Sequence, residues 1–226
     1  MNSRKLSRLA IGTLTLLLVF PGMALAGPIL ICHVIDIGKA STLPAVDWNY
    51  RNGTAGYDLR NLSRDTLAIL DSNPSVLVHM ETLRRATILA RQDPRAATEL
   101  ITRVQARSGN PDSTGHSQAL QVFDLGYLAE SYKQWISRTA PTPAAGVDGY
   151  AYVKKAIDLR GVDPEMEFAA AMITWRSPDN DHRDHLRKAV AGSKTDSLLA
   201  QNLAANFGSQ TIADVLANTP MQASNK

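Results

Sequence analysis

The chain has 226 residues and a formal net charge of +3, with 24 basic and 21 acidic residues. Three of the basic residues and none of the acidic ones lie in the first 26 positions, so the remainder carries 21 of each sign and is neutral. A basic footprint is the first feature expected of a nucleic-acid-binding protein, and we therefore expect no nucleic-acid partner.

Residues 1–26 have the pattern of a secretory signal peptide. Arg4, Lys5 and Arg8 precede an uncharged, leucine-rich run over residues 9–20, which Pro21 then breaks. A membrane span needs about 20 apolar residues, so this run is too short for an anchor. The pattern predicts export to the periplasm or the extracellular space, with no stable membrane span after cleavage.

The cleavage site follows from the small residues at the end of this stretch. Ala24 and Ala26 stand where a signal peptidase requires small side chains, so the mature chain is expected to begin at Gly27. The chain has one cysteine, Cys32, which excludes an intramolecular disulfide framework.

Residues 27–57 are expected to form an arm and a loop. The part between Gly27 and Gly38 is apolar and rich in β-branched residues, which favours a buried strand or extended arm over a helix. It is expected to lie in a groove between helices. Turn-forming residues, among them Asn52 and Gly53, mark the remainder as a loop.

Residues 58–218 have the apolar spacing of a helical domain, and residues 219–226 are expected to be a flexible tail. Asp93-Pro94 has the composition of a helix start. Gly126 lies inside a predicted helix and is expected to mark close packing against a neighbour. The later predicted helices, beginning with the one that contains Gly126, span residues 117–138, 147–159, 164–175, 182–191, 195–206 and 210–217. A linker is predicted at 139–146.

Three stretches of this domain recur at a near-constant spacing. Arg84-Arg85-Ala86 precedes Asp93-Pro94, Lys154-Lys155-Ala156 precedes Asp163-Pro164, and Arg187-Lys188-Ala189 precedes Asp196. The offsets approximate two periods and then one period of a helix-pair repeat.

These residues resemble the tetratricopeptide repeat, a helix pair of about 34 residues. The resemblance implies small residues where paired helices approach each other, at Ala129, Ala156 and Ala204. It covers residues 82–207 and departs from the family at Gly161, where proline is usual, and at Thr174, where an aromatic residue is usual. The predicted fold class is therefore all-α, an array of antiparallel helix pairs with a short extended N-terminal arm. An irregular helical bundle is the alternative.

The segment Ile31-Cys32-His33-Val34-Ile35-Asp36-Ile37-Gly38 also resembles the start of an uncharacterised group of exported bacterial proteins. This resemblance implies export and no particular chemistry.

Cys32 and His33 are one candidate for chemistry. A cysteine nucleophile needs a nearby imidazole that holds it as thiolate. Adjacent residues of a strand point to opposite faces, so the two side chains are not expected to meet. A small buried hydrophobe is the alternative interpretation of Cys32.

His182 and His185 are the second candidate. Their spacing of three places both imidazoles on one face of a helix, where they could bind one metal ion. Zinc requires further ligands, and the surrounding acidic residues are equally typical of a helix start. Two further features are not assigned a chemical role. Glu81 and Arg85 are expected to pair on a solvated helix face. Trp48 and Tyr50 are expected to form either an exposed aromatic patch or a lid on the core.

The sequence thus predicts an exported, non-enzymatic interaction or scaffold module that binds another protein or a peptide and needs no cofactor. One alternative is a metal-binding protein or cysteine-dependent enzyme that uses Cys32 and His33 or His182 and His185. Another is a structural envelope protein that self-associates through its apolar arm.

Overall fold

The computed structural model describes residues 29–46, 56–110, 112–135, 143–177, 181–208 and 212–213. Several sequence predictions lie outside these ranges. They are the signal peptide with its cleavage residues Ala24, Ala26 and Gly27, the loop aromatics Trp48 and Tyr50, and the tail at 219–226. Residues 143–146 of the predicted linker form a turn, and residues 212 and 213 of the predicted last helix are helical.

All regular secondary structure in the described residues is helical, which confirms the all-α class. A single 3₁₀ turn, Leu59–Asn61, precedes α2. The α-helices are α1 Ile29–Cys32, α2 Leu62–Ser72, α3 Val76–Ala90, α4 Pro94–Ser108, α5 Gly115–Trp135, α6 Gly149–Arg160, α7 Pro164–Ile173, α8 Asp181–Gly192 and α9 Leu198–Phe207. None of these helices is long and apolar enough to cross a bilayer.

Local side-chain chemistry explains several helix starts. The Asp93 carboxylate accepts a hydrogen bond from the backbone amide of Arg95, and Pro94 occupies the first helical position. Asp163 and Pro164 begin α7 in the same way. An N-cap carboxylate satisfies amides that have no acceptor within the helix, and proline there has no amide to leave unpaired. The start predicted at Asp93-Pro94 is confirmed.

The last described long helix begins later than the sequence suggests. Residues 195–206 were expected to be helical, whereas α9 starts at Leu198. Asp196 has a left-handed backbone (φ 61°), which a continuous helix cannot contain. The Ser197 hydroxyl then caps the helix by accepting from the amide of Ala200.

Helices α5 and α6 approach each other at two glycines. A Cβ atom on Gly126 would lie 2.6 Å from the carbonyl oxygen of Gly149, and one on Gly149 would lie 2.5 Å from the carbonyl oxygen of Gly126. Both distances are shorter than van der Waals contact, so only glycine fits at either position. The close packing predicted for Gly126 is confirmed.

One hydrophobic core joins residues of all nine described α-helices. Its largest helix contacts are those of α5 with α6 and of α7 with α8, and α5 also packs on α3 and α4. Leu30, Ile35 and Leu43 belong to the same core. The residues predicted to form an arm are therefore packed into the helical body.

The prediction of an extended conformation is wrong for the beginning of this region. Ile29–Cys32 forms one turn of helix, and residues 34–37 have no regular secondary structure. The β-branched composition, which favoured a strand, indicates that these side chains are buried rather than that the backbone pairs with another strand. Within the described residues no neighbouring strand offers backbone partners, so side chains of the helices satisfy the backbone groups instead.

Candidate functional site

The N-terminal segment, residues 29–46, is held in place by side chains that bind its backbone. The Leu30 amide donates to Oε1 of Gln134 on α5 at 3.0 Å. The Ile35 amide donates to Glu81 on α3 at 3.1 Å, and the Ile31 carbonyl accepts from Arg84 at 2.9 Å. These partners are 46 to 104 residues away in sequence, so tertiary packing alone brings them to the segment.

Helix α9 provides the most regular part of this contact. Asn202 accepts from the Asp36 amide at 2.8 Å and donates to the Asp36 carbonyl at 2.8 Å. Its amide group therefore matches both backbone groups of one residue. One turn further on, the Asn206 carboxamide oxygen lies 2.9 Å from Nδ1 of His33. One turn before Asn202, Leu198 lies against Gly38.

The segment runs antiparallel to α9. Residues 198, 202 and 206 form one stripe of the helix, and they contact residues 38, 36 and 33 in that order. Eight residues of α-helix span roughly 12 Å, whereas five residues of helix span about 7.5 Å. Residues 33–38 are therefore drawn out along α9 more than a helix would be.

Hydrogen bonds to the backbone of α9 itself hold the carboxamide groups of Asn202 and Asn206 in place. Nδ2 of Asn202 also donates to the Leu198 carbonyl, and Nδ2 of Asn206 donates to the Asn202 carbonyl, each at 2.8 Å. These bonds fix the orientation of each carboxamide, that is, the positions of its oxygen and its nitrogen. Asn202 is 1% exposed, so loss of its partner would leave buried polar atoms unpaired. We call Leu198, Asn202 and Asn206 the α9 clamp.

A buried charged cluster on α3 forms the opposite wall. Glu81 is completely buried and binds Arg84 and Arg85, each at 2.7 Å. Arg85 also donates to the Leu43 carbonyl at 2.6 Å, and the Thr82 and Thr42 hydroxyls lie 2.7 Å apart. Burial of the Glu81 and Arg84 charges is tolerated only when each is paired and hydrogen-bonded, and Arg85 is partly exposed. The Glu81–Arg85 pair is confirmed, but the solvated helix face expected for it is wrong, because the N-terminal segment covers it.

The apolar side chains of the segment contribute the remaining contact. Leu30, Ile31 and Ile35 are at most 1% exposed, and Ile29 is 8% exposed. Val34, in contrast, is largely exposed. The segment is thus recognised through aliphatic side chains on one side and through its backbone groups on the other.

Cys32 and His33 lie next to each other in the chain, and the described contacts of their side chains differ. His33 binds Asn206, and the half-buried Cys32 is a free thiol. Burial raises the pKa of Cys32, while the nearby Arg84 charge opposes that shift only in part. A raised pKa leaves the sulfur as the less nucleophilic thiol at neutral pH.

His182 and His185 lie on α8 but use their nitrogens differently. Nδ1 of His182 donates to the Ala171 carbonyl at 2.8 Å. His185 bridges the Glu167 carboxylate through Nδ1 and the Tyr150 hydroxyl through Nε2. Both nitrogens of His185 are thus occupied by protein groups. The described residues contain no group of three His, Cys, Asp or Glu side chains arranged to hold a metal ion.

His182 belongs to an aromatic cluster near the α9 clamp. Its ring packs edge-on against Trp175 and contacts Phe207, the residue after Asn206. Burial lowers the pKa of His182, which its bond to Ala171 counteracts only in part. His182 is therefore neutral at pH 7 and supports the end of α9 as an aromatic side chain.

A second buried ionic cluster was not predicted from the sequence. His79 is fully buried, with Nδ1 2.6 Å from Asp124 and Nε2 2.8 Å from the Asn73 carbonyl. Burial alone lowers the pKa of His79, but the Asp124 charge and the two hydrogen bonds outweigh it, so the pKa is raised. Arg107 joins Asp124 to Asp71 at the wall of a cleft of about 310 Å³.

The signal for the α9 clamp was present in the sequence. Asn202 and Asn206 are four apart in a predicted helix, so they share one face. Their role becomes visible only with the N-terminal segment in place.

Comparison with known proteins identifies no relative: no family model, no curated protein and no solved structure matches the chain.

Proposed function

We propose that this protein is an exported, non-enzymatic interaction module that binds a drawn-out peptide segment along α9 and α3. The observation that carries the proposal is the two-way pairing of Asn202 with the Asp36 backbone. A carboxamide that binds both the backbone amide and the carbonyl of one residue recognises polypeptide independently of side-chain identity. The aliphatic pockets beside it supply the selectivity, as in other modes of peptide recognition.

The proposed architecture is a degenerate array of antiparallel, tetratricopeptide-like helix pairs. Three small residues in the recurring stretches support this architecture. Ala86, Ala156 and Ala189 are all fully buried, and they lie in α3, α6 and α8. Each of these helices precedes the start of another, α4, α7 or α9. Ala204 does not fit this scheme, because it is exposed. Arrays of this kind bury a continuous core and leave a face for another chain.

Export is part of the proposal and is supported by the signal pattern of residues 1–26. Placement in the periplasm or outside the cell makes polypeptides of the same compartment the candidate partners. The bound chemistry is an aliphatic peptide with a backbone free to pair with Asn202, for which residues 29–38 of the protein's own chain are the template.

The test is displacement of the protein's own segment. A protease site is placed within residues 47–55 of the mature chain, and the folded protein is cut there so that the segment stays bound without a covalent link. A fluorescent peptide of sequence 27–38 is then added, and its anisotropy is followed. We expect saturable binding with release of the cut fragment. A folded, cut protein that never takes up the peptide would overturn the proposal.

The matched control peptide replaces the residue equivalent to Ile35 with aspartate. Ile35 is 1% exposed, so a buried carboxylate at this position is expected to weaken binding by more than tenfold. Equal binding of the two peptides would show that the site does not recognise the aliphatic pattern.

A further inference from the structure

The ends of four helices surround a cleft that lies apart from the N-terminal segment. The end of α2 and the turn after it form one wall, and the last turns of α4 and α6 and the first turn of α5 form the others. The cleft has a volume of about 310 Å³, at the lower end of the roughly 300–1,000 Å³ of small-molecule sites. None of the hydrogen bonds described for residues 29–46 involves a residue that lines it. The cleft is therefore a candidate site for a separate, small ligand.

Two arginines bring hydrogen-bond donors to this cleft. Arg160 binds Asp163 through Nε at 2.5 Å, and the described residues provide no acceptor for its two terminal nitrogens. Arg107 binds Asp71 through Nε and Asp124 through Nη1, which leaves Nη2 without an acceptor in the part of the chain that the structure describes. The side chain of Arg107 is 13% exposed and that of Arg160 is 17% exposed, so water screens their charges only weakly.

The polar neighbours of the two arginines add donors more than acceptors. The side-chain oxygen of Asn73 accepts from the Ser75 amide, so the NH₂ group of Asn73 is the end left for a ligand. His116 and Ser117 line the cleft in the first turn of α5, where backbone amides have no acceptor within the helix. Asp71 is the one acidic side chain of the described lining. The cleft therefore presents more donors than acceptors, which is the arrangement that binds an oxyanion.

We propose that this cleft binds a small organic carboxylate. The carboxylate lies against Arg160 and Arg107, and a short aliphatic part covers Leu70 and Leu120, which are 2% and 8% exposed. A guanidinium and a carboxylate match in shape and form two parallel hydrogen bonds. The inference goes beyond the proposed function, because it concerns a different ligand and different residues.

Asp71 determines which anion the cleft prefers. Its carboxylate is 60% exposed, and Oδ1 accepts from Arg107 at 2.7 Å. Asp71 repels a ligand of negative charge, and the repulsion is larger for a doubly charged phosphate than for a singly charged carboxylate. Leu70 and Leu120 favour the same choice, since inorganic phosphate has no apolar part to cover them.

The test is a titration of the folded mature chain with sodium isovalerate, a branched aliphatic carboxylate, at constant pH and ionic strength. The ring resonances of His116, which lines the cleft and is exposed, report binding by NMR, and a His116→Gln variant identifies them. We expect a saturable shift that sodium chloride does not produce. Acetate should bind more weakly, by about fourfold for each further carbon of isovalerate that is buried. The absence of a saturable shift, or tighter binding of inorganic phosphate than of isovalerate, would overturn the proposal.

Two substitutions in the cleft should change this affinity in opposite directions. Arg160→Gln removes a guanidinium and should weaken isovalerate binding by about tenfold or more. Asp71→Asn removes the repelling charge and should tighten binding, an effect that damage to the fold cannot produce. The matched control is Arg187→Gln, because Arg187 pairs with Asp184 three residues away, as Arg160 does with Asp163, but lies outside the described lining. Equal isovalerate affinities of the Arg160 and Arg187 variants, or weaker binding by the Asp71 variant, would contradict the site.

Discussion

Asn202 and Asp36 are joined by two hydrogen bonds of 2.8 Å, one in each direction, between a helix side chain and the backbone of the N-terminal segment. This pairing places a residue near one end of the described chain against a residue near the other. It fixes the register of the segment along α9 and thereby sets which side chains enter the core.

Replacement Asn202→Ala is expected to lower the free energy of unfolding by about 1–3 kcal/mol, because it leaves the Asp36 amide and carbonyl without their partner. Denaturant unfolding measures this change, and proteolysis should cut the segment faster. The control is Gln201→Ala, an exposed neighbour on the same helix, for which we expect a change within roughly 0.5 kcal/mol. Equal effects of the two replacements would show that the pairing contributes nothing.

Replacement Glu81→Gln is expected to cost about 3–5 kcal/mol, since it leaves the buried Arg84 without its counter-charge. The matched control is Glu99→Gln. Glu99 pairs with Arg103 at 2.9 Å, but both side chains are about half exposed, and such pairs contribute about 0.3–0.5 kcal/mol. Calorimetric or denaturant unfolding separates the two cases. A Glu81 variant as stable as the Glu99 variant would contradict the role assigned to the buried cluster.

Stability is expected to fall as the pH rises above about 6.5, the ordinary pKa of histidine. The folded-state pKa of His79 is raised, so its contribution is fully present below the unfolded pKa and is lost as the pH passes through the folded value. Between the two values the slope approaches 1.4 kcal/mol per pH unit. Unfolding of His79→Gln should lack this slope. The control His116→Gln changes an exposed histidine and should retain the slope. Loss of the slope in the His116 variant would contradict its assignment to His79.

Replacement Gly126→Ala is expected to destabilise the protein by about 1–3 kcal/mol or more, because the added methyl group would meet the Gly149 carbonyl at 2.6 Å and force α5 and α6 apart. Gly146→Ala serves as the control, since a Cβ atom there has no neighbour within 4 Å. The melting temperatures of both variants provide the measurement. A Gly126 variant that melts like the Gly146 variant would show that the helices can separate freely.

The helical class, most helix positions and the role of Gly126 could be predicted because they depend on local spacing, caps and the absence of a side chain. The α9 clamp could not, because Asn202 and Asn206 acquire partners only when residues 33–38 reach them from the other end of the chain. The same cause explains why Glu81 was expected on a solvated face. Helical spacing pairs it with Arg85 correctly, but cannot show which segment covers the pair.

The conformation of Ile29–Cys32 was predicted wrongly for a related reason. Aliphatic, β-branched residues are suited to any buried site, and a strand also needs a neighbouring strand to pair with. In the described residues the segment finds only helices. Its first turn becomes helical, and its later backbone groups bind to side chains.

The most direct measurement of the central claim compares one labelled peptide, of sequence 27–38, on the uncut and on the cut mature chain. The uncut protein holds its own segment at an effective concentration of about 1 mM, so it should exclude the peptide at micromolar concentration. The cut protein, once its fragment has been diluted, should bind the peptide, and Asn202→Ala should weaken that binding by about tenfold or more. Equal binding to cut and uncut protein, or none to either, would contradict the claim that α3 and α9 form a peptide site occupied by the chain's own segment.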